Sequence, residues 1–250
     1  MPCRLAFLMV LGLAASAEAA SKRPQAPEVD LDAMPSFAAS TFRMGVEALP
    51  VGSYGDAWFI DQQPAHDVSL GAFRLDRREV TVADFALFLS YAGGEAHFRP
   101  DQPIERVSGG YLPQAGHEHE PARHVTWSAA RDYCLWAGKR LPTEAEWERA
   151  AAGLEGRTYP WGEEGAGCWI AVCFTGNTFC ADGPLDVGSR PAGASPEGVL
   201  DLAGNVAEWV ADRYGPYPAE PQQDPTGPAE GALRVVRGGG FLDSGVSLLS

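Results

Sequence analysis

The residues whose types and spacing best suit chemistry lie in Asp201-Leu202-Ala203-Gly204-Asn205-Val206-Ala207-Glu208. Two carboxylates bracket a glycine-containing bend, so backbone carbonyls can turn inward between them. An all-oxygen cage of that kind suits Ca²⁺, a hard cation. The stretch lacks the spaced acidic ladder of a helix–loop–helix calcium site. The competing reading is a plain turn in which Glu208 opens a helix.

Three other groups invite chemistry. His117-Glu118-His119-Glu120, with His124 after it, has the residue types that hold zinc or iron. Side chains two apart in a loop have no fixed relation, so these histidines are expected to be structural. Cys134, Cys168, Cys173 and Cys180 form the second group. The last three follow a C-x4-C-x6-C spacing, which lacks the C-x2-C pairs of zinc ribbons. A local disulfide inside that loop is the preferred reading, with the connectivity open. The third group is Trp127, Trp136, Trp147, Trp161, Trp169 and Trp209. Such rings stack on sugars in lectin-like sites, but most of these flank helices and are expected in the core. There is no G-x-S-x-G, and no cysteine stands in a defensible order with a base, so no catalytic residue is assigned.

The elements that must position these residues are short. Thr81 caps a helix carrying Phe85, Phe88 and Leu89 on one face, with Gly93 as its stop. Ser128 to Ala137 reads as a second helix, ended by Gly138. Thr143-x-x-Glu146 is a capping box that starts a third, with Gly153 after it. His66 to Val80 alternates as strand, kink, strand, and Leu233 to Arg237 reads as a strand. The 29 glycines and 20 prolines of the 250 residues point to many tight turns.

The net charge of −14 repels phosphate backbones and argues against nucleic acid as a partner. Residues 1–19 read as a secretory signal peptide: Arg4, an apolar run from Leu5 to Ala15, then Ala17-Glu18-Ala19 as the cleavage pattern. The run is too short to span a bilayer, and no later stretch is long enough. The expected organisation is a signal peptide (1–19), a flexible polar leader (20–36) and one domain (37–250), with the mature protein secreted or periplasmic.

The block Tyr133-Cys134-Leu135-Trp136-Ala137-Gly138-Lys139-Arg140-Leu141-Pro142-Thr143-Glu144-Ala145-Glu146-Trp147-Glu148 is the most specific stretch of the chain. Phe42-Arg43-Met44-Gly45, Pro64-x-His66 and Glu79-Val80-Thr81 precede it. Tyr159-Pro160-Trp161-Gly162, Gly204-Asn205, Glu208-Trp209 and Arg237-Gly238-Gly239 follow in order. Together they resemble the formylglycine-generating enzyme family, also called the sulfatase-modifying factor domain. The resemblance implies an α+β fold related to C-type lectins, a single domain with little regular secondary structure. It also implies a calcium site using the side chains of Asp201 and Glu208 and the carbonyls of Gly204 and Val206. A second family calcium site has its Asn where this chain has Val172, and is not carried over.

Active members oxidise a substrate cysteine to formylglycine with oxygen and a copper ion held by two thiolates. Aligned without gaps after the glycine turn, those cysteine positions fall on Asp243 and Leu248. The family serine falls on Gly240 and the family's active-site tryptophan on Ala207. Copper is therefore not expected, since a soft ion needs soft donors. The helix cysteine matching Cys134 has its family partner near the C-terminus. The chain reads as C-terminally incomplete at Ser250, which leaves Cys134 free and buried. The resulting expectation is an exported, calcium-stabilised binding or accessory module whose ligand is a protein, peptide or glycan. The alternatives are an active oxidoreductase of the superfamily, modifying a peptide or thiol with oxygen, and a nonfunctional shortened paralogue.

Overall fold

Short-range signals set the helices. The computed structural model describes residues 29–47, 60–92 and 94–244. The expected signal peptide, Gly93 and Leu248 lie outside these residues. In chain order the described elements are β1 (Ser36–Phe37), β2 (Ser40–Met44), β3 (His66–Leu70), β4 (Phe73–Arg74) and α1 (Val82–Ala92). Then come β5 (Ile104–Val107), β6 (Gly110–Pro113), α2 (Trp127–Trp136) and α3 (Glu144–Ala152). The remainder is β7 (Phe174–Thr175), β8 (Thr178–Phe179), β9 (Glu208–Arg213), β10 (Gln222–Gln223) and β11 (Arg234–Arg237).

Each helix starts at an oxygen cap. The Thr81 hydroxyl accepts the Asp84 N–H at 3.1 Å, and the Thr126 hydroxyl accepts the Ala129 N–H. Thr143 and Glu146 complete the capping box reciprocally, at 3.2 and 2.8 Å. This satisfies donors that the first turn leaves without helical partners. Gly153 closes α3 at φ +72°, a conformation that costs glycine little.

The strands form five small sheets rather than one. β3 lies between β2, antiparallel, and β10, parallel. β1 pairs with β4, β5 with β6, β7 with β8, and β9 with β11, all antiparallel. β10 arises inside the Pro-rich stretch between Tyr214 and Gly231. The last residues of the expected leader are held against the domain. Leu75 donates to the Pro35 carbonyl at 3.1 Å, and Ser36 stands in register with Arg74.

Packing joins these pieces through buried clusters. Phe85, Phe88 and Leu89 of α1 pack with Tyr133 of α2 and with Ile104 and Tyr111 of the β5–β6 hairpin. Trp147, Ala150 and Ala151 of α3 pack with Phe37, Leu202, Val210 and Val235. The second cluster puts α3 against the 201–209 segment, β9 and β11. Trp147 is fully buried, as expected of a core tryptophan, but Trp169 is 57% exposed. The turn at 168–170 sends Ile170 inward instead. Among the described residues no helix is long and apolar enough to cross a membrane.

Candidate functional site

The 201–209 knot is built from backbone conformations that ordinary residues avoid. Asp201 and Asn205 have φ of +59° and +60°, and Gly204 has φ +91°. Asn and Asp tolerate this region because a short polar side chain can bond locally. Gly204 has a further constraint: a Cβ there would sit 2.6 Å from the Val172 carbonyl oxygen. Its N–H donates to the Gly238 carbonyl at 3.0 Å, so the knot and the glycine run meet at this residue.

Asn205 is the hub. Its backbone N–H donates to Val172 O at 2.8 Å, and its carbonyl accepts from Phe241 N–H at 2.9 Å. Its side chain accepts from Leu185 N–H at 2.9 Å and donates to Glu79 Oε2 at 2.7 Å. Glu79 Oε1 also accepts from Val206 N–H at 3.2 Å. In the sequence Glu79 is only one member of the Glu79-Val80-Thr81 motif, and its spacing gives no signal of the contact with the knot.

Three carboxyl groups therefore gather on the knot. Asp201 Oδ2 accepts from Gly188 N–H at 2.5 Å, and Glu208 Oε2 accepts from Trp147 Nε1–H at 2.9 Å. Burial pushes the Glu79 carboxyl well above the usual carboxylate range. The negative charges of Asp201 and Glu208 push it further, while the Asn205 and Val206 hydrogen bonds oppose the rise. Burial lifts Glu208 to about 7, against the Trp147 hydrogen bond and with help from the Asp201 charge. Asp201 is also raised by burial, with the Gly188 hydrogen bond and the Arg190 charge opposing. Mutual repulsion of this kind is what a bound cation would relieve.

Glu208 opens a strand, not the helix of the competing reading. Its register partner is Arg237 of β11, and Val210 and Asp212 face inward along β9. Pairing with β11 supplies the ladder that fixes the extended conformation. A cavity of about 340 Å³ lies beside this strand start. Glu79, Ala207, Glu208, Tyr133, Cys134 and Lys139 are among its lining residues.

The glycine bend packs directly on the knot. A Cβ on Gly240 would lie 3.5 Å from Asn205 O and 3.7 Å from Ala207 N. Ala207 and Gly240, two positions singled out by the resemblance, are thus brought together. Asp243 Oδ2 accepts from Gly240 N–H at 2.7 Å, and Asp243 O accepts from Phe174 N–H at 2.9 Å.

Cys168 and Cys180 are disulfide-bonded, so the local bridge expected in that loop is present. Cys134 and Cys173 are free. Cys134 is half-buried rather than fully buried. The histidines do not gather: His117 Nδ1 lies 2.7 Å from Glu120 Oε1, while His124 faces Asp101. Among the described residues, no three His, Cys, Asp or Glu side chains close on one point. Any cation at the knot would therefore need main-chain oxygens as well.

Comparison with known proteins places the chain. The family model described as "Sulfatase-modifying factor enzyme 1-like domain" matches residues 19–249. The formylglycine-generating enzyme of Streptomyces coelicolor is 35% identical over 236 residues, covering 76% of this chain and 74% of that protein. The serine/threonine-protein kinase pkn1 of Chlamydia caviae is 38% identical over 191 residues, covering 72% of this chain but 29% of the kinase. Among solved structures, CarF superposes with a TM-score of 0.59 at 19% identity, covering 87% of this chain and 90% of that one. That similarity concerns the fold alone, an α+β domain with few helices and several small sheets.

Proposed function

The chain belongs to the family of sulfatase-modifying factor enzyme 1-like domains, and from that premise we propose that it is an exported, calcium-stabilised binding or accessory module. The observation that carries the reading is the gathering of Glu79, Asp201 and Glu208 at one strained knot, where the Asp201 and Glu208 charges help to raise the Glu79 carboxyl and the Asp201 charge helps to raise Glu208. Oxygen donors of this type suit Ca²⁺. Asp201 and Glu208 would supply carboxylates, and Gly204 and Val206 main-chain oxygens. The ion would neutralise the charges that press on the nearby Glu79 carboxyl.

The residues at the glycine bend do not fit a thiolate-held copper ion. Asp243 is a hard oxygen donor, already engaged with Gly240 N–H. The neighbouring segment contributes one free thiol, the buried Cys173. Copper(I) is held by soft sulfur donors, and a pair is needed. The Cys168–Cys180 disulfide supports an oxidising compartment, in keeping with the signal-peptide pattern of residues 1–19. The ligand of such a module would be a protein, peptide or glycan.

The second reading, an oxygen-dependent oxidoreductase acting on a peptide or thiol, draws its support from the formylglycine-generating relative at 35% identity. One experiment separates the two. Purified protein is supplied with copper(I), oxygen and a sulfatase-type cysteine peptide, and the peptide is analysed for aldehyde. The proposal expects neither stoichiometric copper nor aldehyde; formation of the aldehyde establishes the second reading. Melting with calcium and with chelator tests the ion separately.

A further inference from the structure

Three of the four cysteines discussed above meet at one hairpin. β7 and β8 pair Phe174 with Phe179 and Thr175 with Thr178, around the two-residue loop Gly176-Asn177. The next rung outward sets Cys173 opposite Cys180, and the Cys180 N–H donates to the Cys173 carbonyl at 3.0 Å. Residues directly opposite on an antiparallel pair project to the same face, with Cβ atoms roughly 4.5–5.5 Å apart. Their Cα separation, about 5.5 Å for a hydrogen-bonded pair, lies inside the range a disulfide spans, and the Cβ atoms would close by about 1 Å to form the bond. Yet Cys180 is bonded to Cys168, with a Cα–Cα distance of 4.9 Å, while Cys173 is fully buried and free.

We propose that Cys168, Cys173 and Cys180 form a three-sulfur exchange site, in which Cys180 can be bonded to either of the other two. The Cys173 thiolate attacks Cys180 Sγ. The Cys173–Cys180 bond forms, the Cys168–Cys180 bond breaks, and Cys168 leaves as a thiolate that takes up the proton Cys173 released. The number of disulfides and thiols is unchanged, so no oxidant or reductant is consumed. The exchange moves the free thiol from a buried position to Cys168, which is partly exposed and precedes the exposed Trp169. Cys168 thereby becomes a site for modification by electrophiles or exchange with external disulfides. Arg190 Nε donates to the Cys168 carbonyl at 2.7 Å, placing a cation near the departing thiolate, which favours it. The hairpin also adjoins the glycine bend, since Phe174 N–H donates to Asp243 O. The proposal does not depend on calcium or copper.

Burial raises the Cys173 thiol, so the exchange should quicken with pH, about tenfold per unit below that thiol's own pKa. The test holds the full-length oxidised protein, dilute and without reductant, at pH 6 and pH 9. N-ethylmaleimide then traps the thiols, and the monomer is digested and its disulfide peptides mapped by mass spectrometry. The expected result is a Cys173–Cys180 peptide with alkylated Cys168 that is many-fold more abundant at pH 9. Both should vanish in Cys173→Ser, with Cys168–Cys180 retained. Finding only Cys168–Cys180 at both pH values overturns the proposal. Cys168→Ser gives an independent reading: oxidised with glutathione disulfide, it should form Cys173–Cys180. Persistence of those two cysteines as thiols or glutathione adducts in the folded variant also overturns it.

Discussion

Asn205 Nδ2 donates to Glu79 Oε2 at 2.7 Å across 126 positions of sequence, and the Val206 N–H donates to the same carboxyl group. A carboxyl group from the segment just ahead of α1 is thereby locked onto a knot formed late in the chain. With Asp201 and Glu208 it makes a cluster that is costly without a counter-ion, because like charges in partly buried surroundings raise one another.

Calcium should stabilise the protein measurably. At a hundredfold excess over Kd, a ligand specific to the native state contributes about 2.7 kcal/mol, roughly 5–10 °C in Tm for a domain of this size. Glu208→Gln should remove most of this shift. It should leave the chelated protein about as stable as the parent, because the amide oxygen can still accept from Trp147 Nε1–H and one negative charge is gone. Differential scanning fluorimetry with calcium and with chelator reads both effects. An unchanged calcium shift in Glu208→Gln counts against the site.

Gly204→Ala should be among the most damaging small changes. The residue has φ +91°, and the new methyl would stand 2.6 Å from Val172 O. Strain of this kind costs about 1–3 kcal/mol, and the displaced 172 segment adds to it. The expected result is a clear drop in the chemical-denaturation midpoint together with a loss of the calcium response. Retention of both would show that the knot can shift without cost.

Cys134 should alkylate slowly. Burial first, then the charge of Asp76, pushes its thiol up to about 11, with Lys139 opposing. The reactive species is the thiolate, so the rate at pH 8 should be about a hundredfold below that of an unshifted thiol and rise tenfold per unit toward pH 11. The linkage sign follows: with the folded pKa above the unfolded value of about 9, stability falls as pH rises from about 9 to about 11. Alkylation rates in Cys173→Ser, followed by peptide mapping, isolate this thiol.

Arg237→Ala should destabilise strongly. The guanidinium is buried on β11, 2.8 Å from Glu148 Oε2 and 3.5 Å from Glu144 Oε1. Removing one partner strands buried carboxylates, at about 3–5 kcal/mol. Urea unfolding measures the loss, and Arg237→Lys should recover only part of it, since an ammonium cannot reproduce the guanidinium's planar set of donors.

Much of the local structure is determined by the sequence alone. Thr81 and Thr143 place helix starts because a cap involves only the next three residues, whereas the second helix, expected from Ser128, starts at Trp127 behind a Thr126 cap. The alternation at His66–Leu70 identifies a strand because side-chain direction reverses at every residue. The long block from Tyr133 to Glu148 carries the family, and with it the expectation that Asp201, Gly204, Val206 and Glu208 belong together. Tertiary structure decided the rest. Glu79 joins the knot, Glu208 opens a strand paired with β11, and Cys180 bonds Cys168 although Cys173 lies directly across the hairpin. None of these follows from near neighbours. They depend on how short, separately capped segments pack into a common core, where contacts between residues a hundred positions apart are set by shape and burial rather than by spacing along the chain.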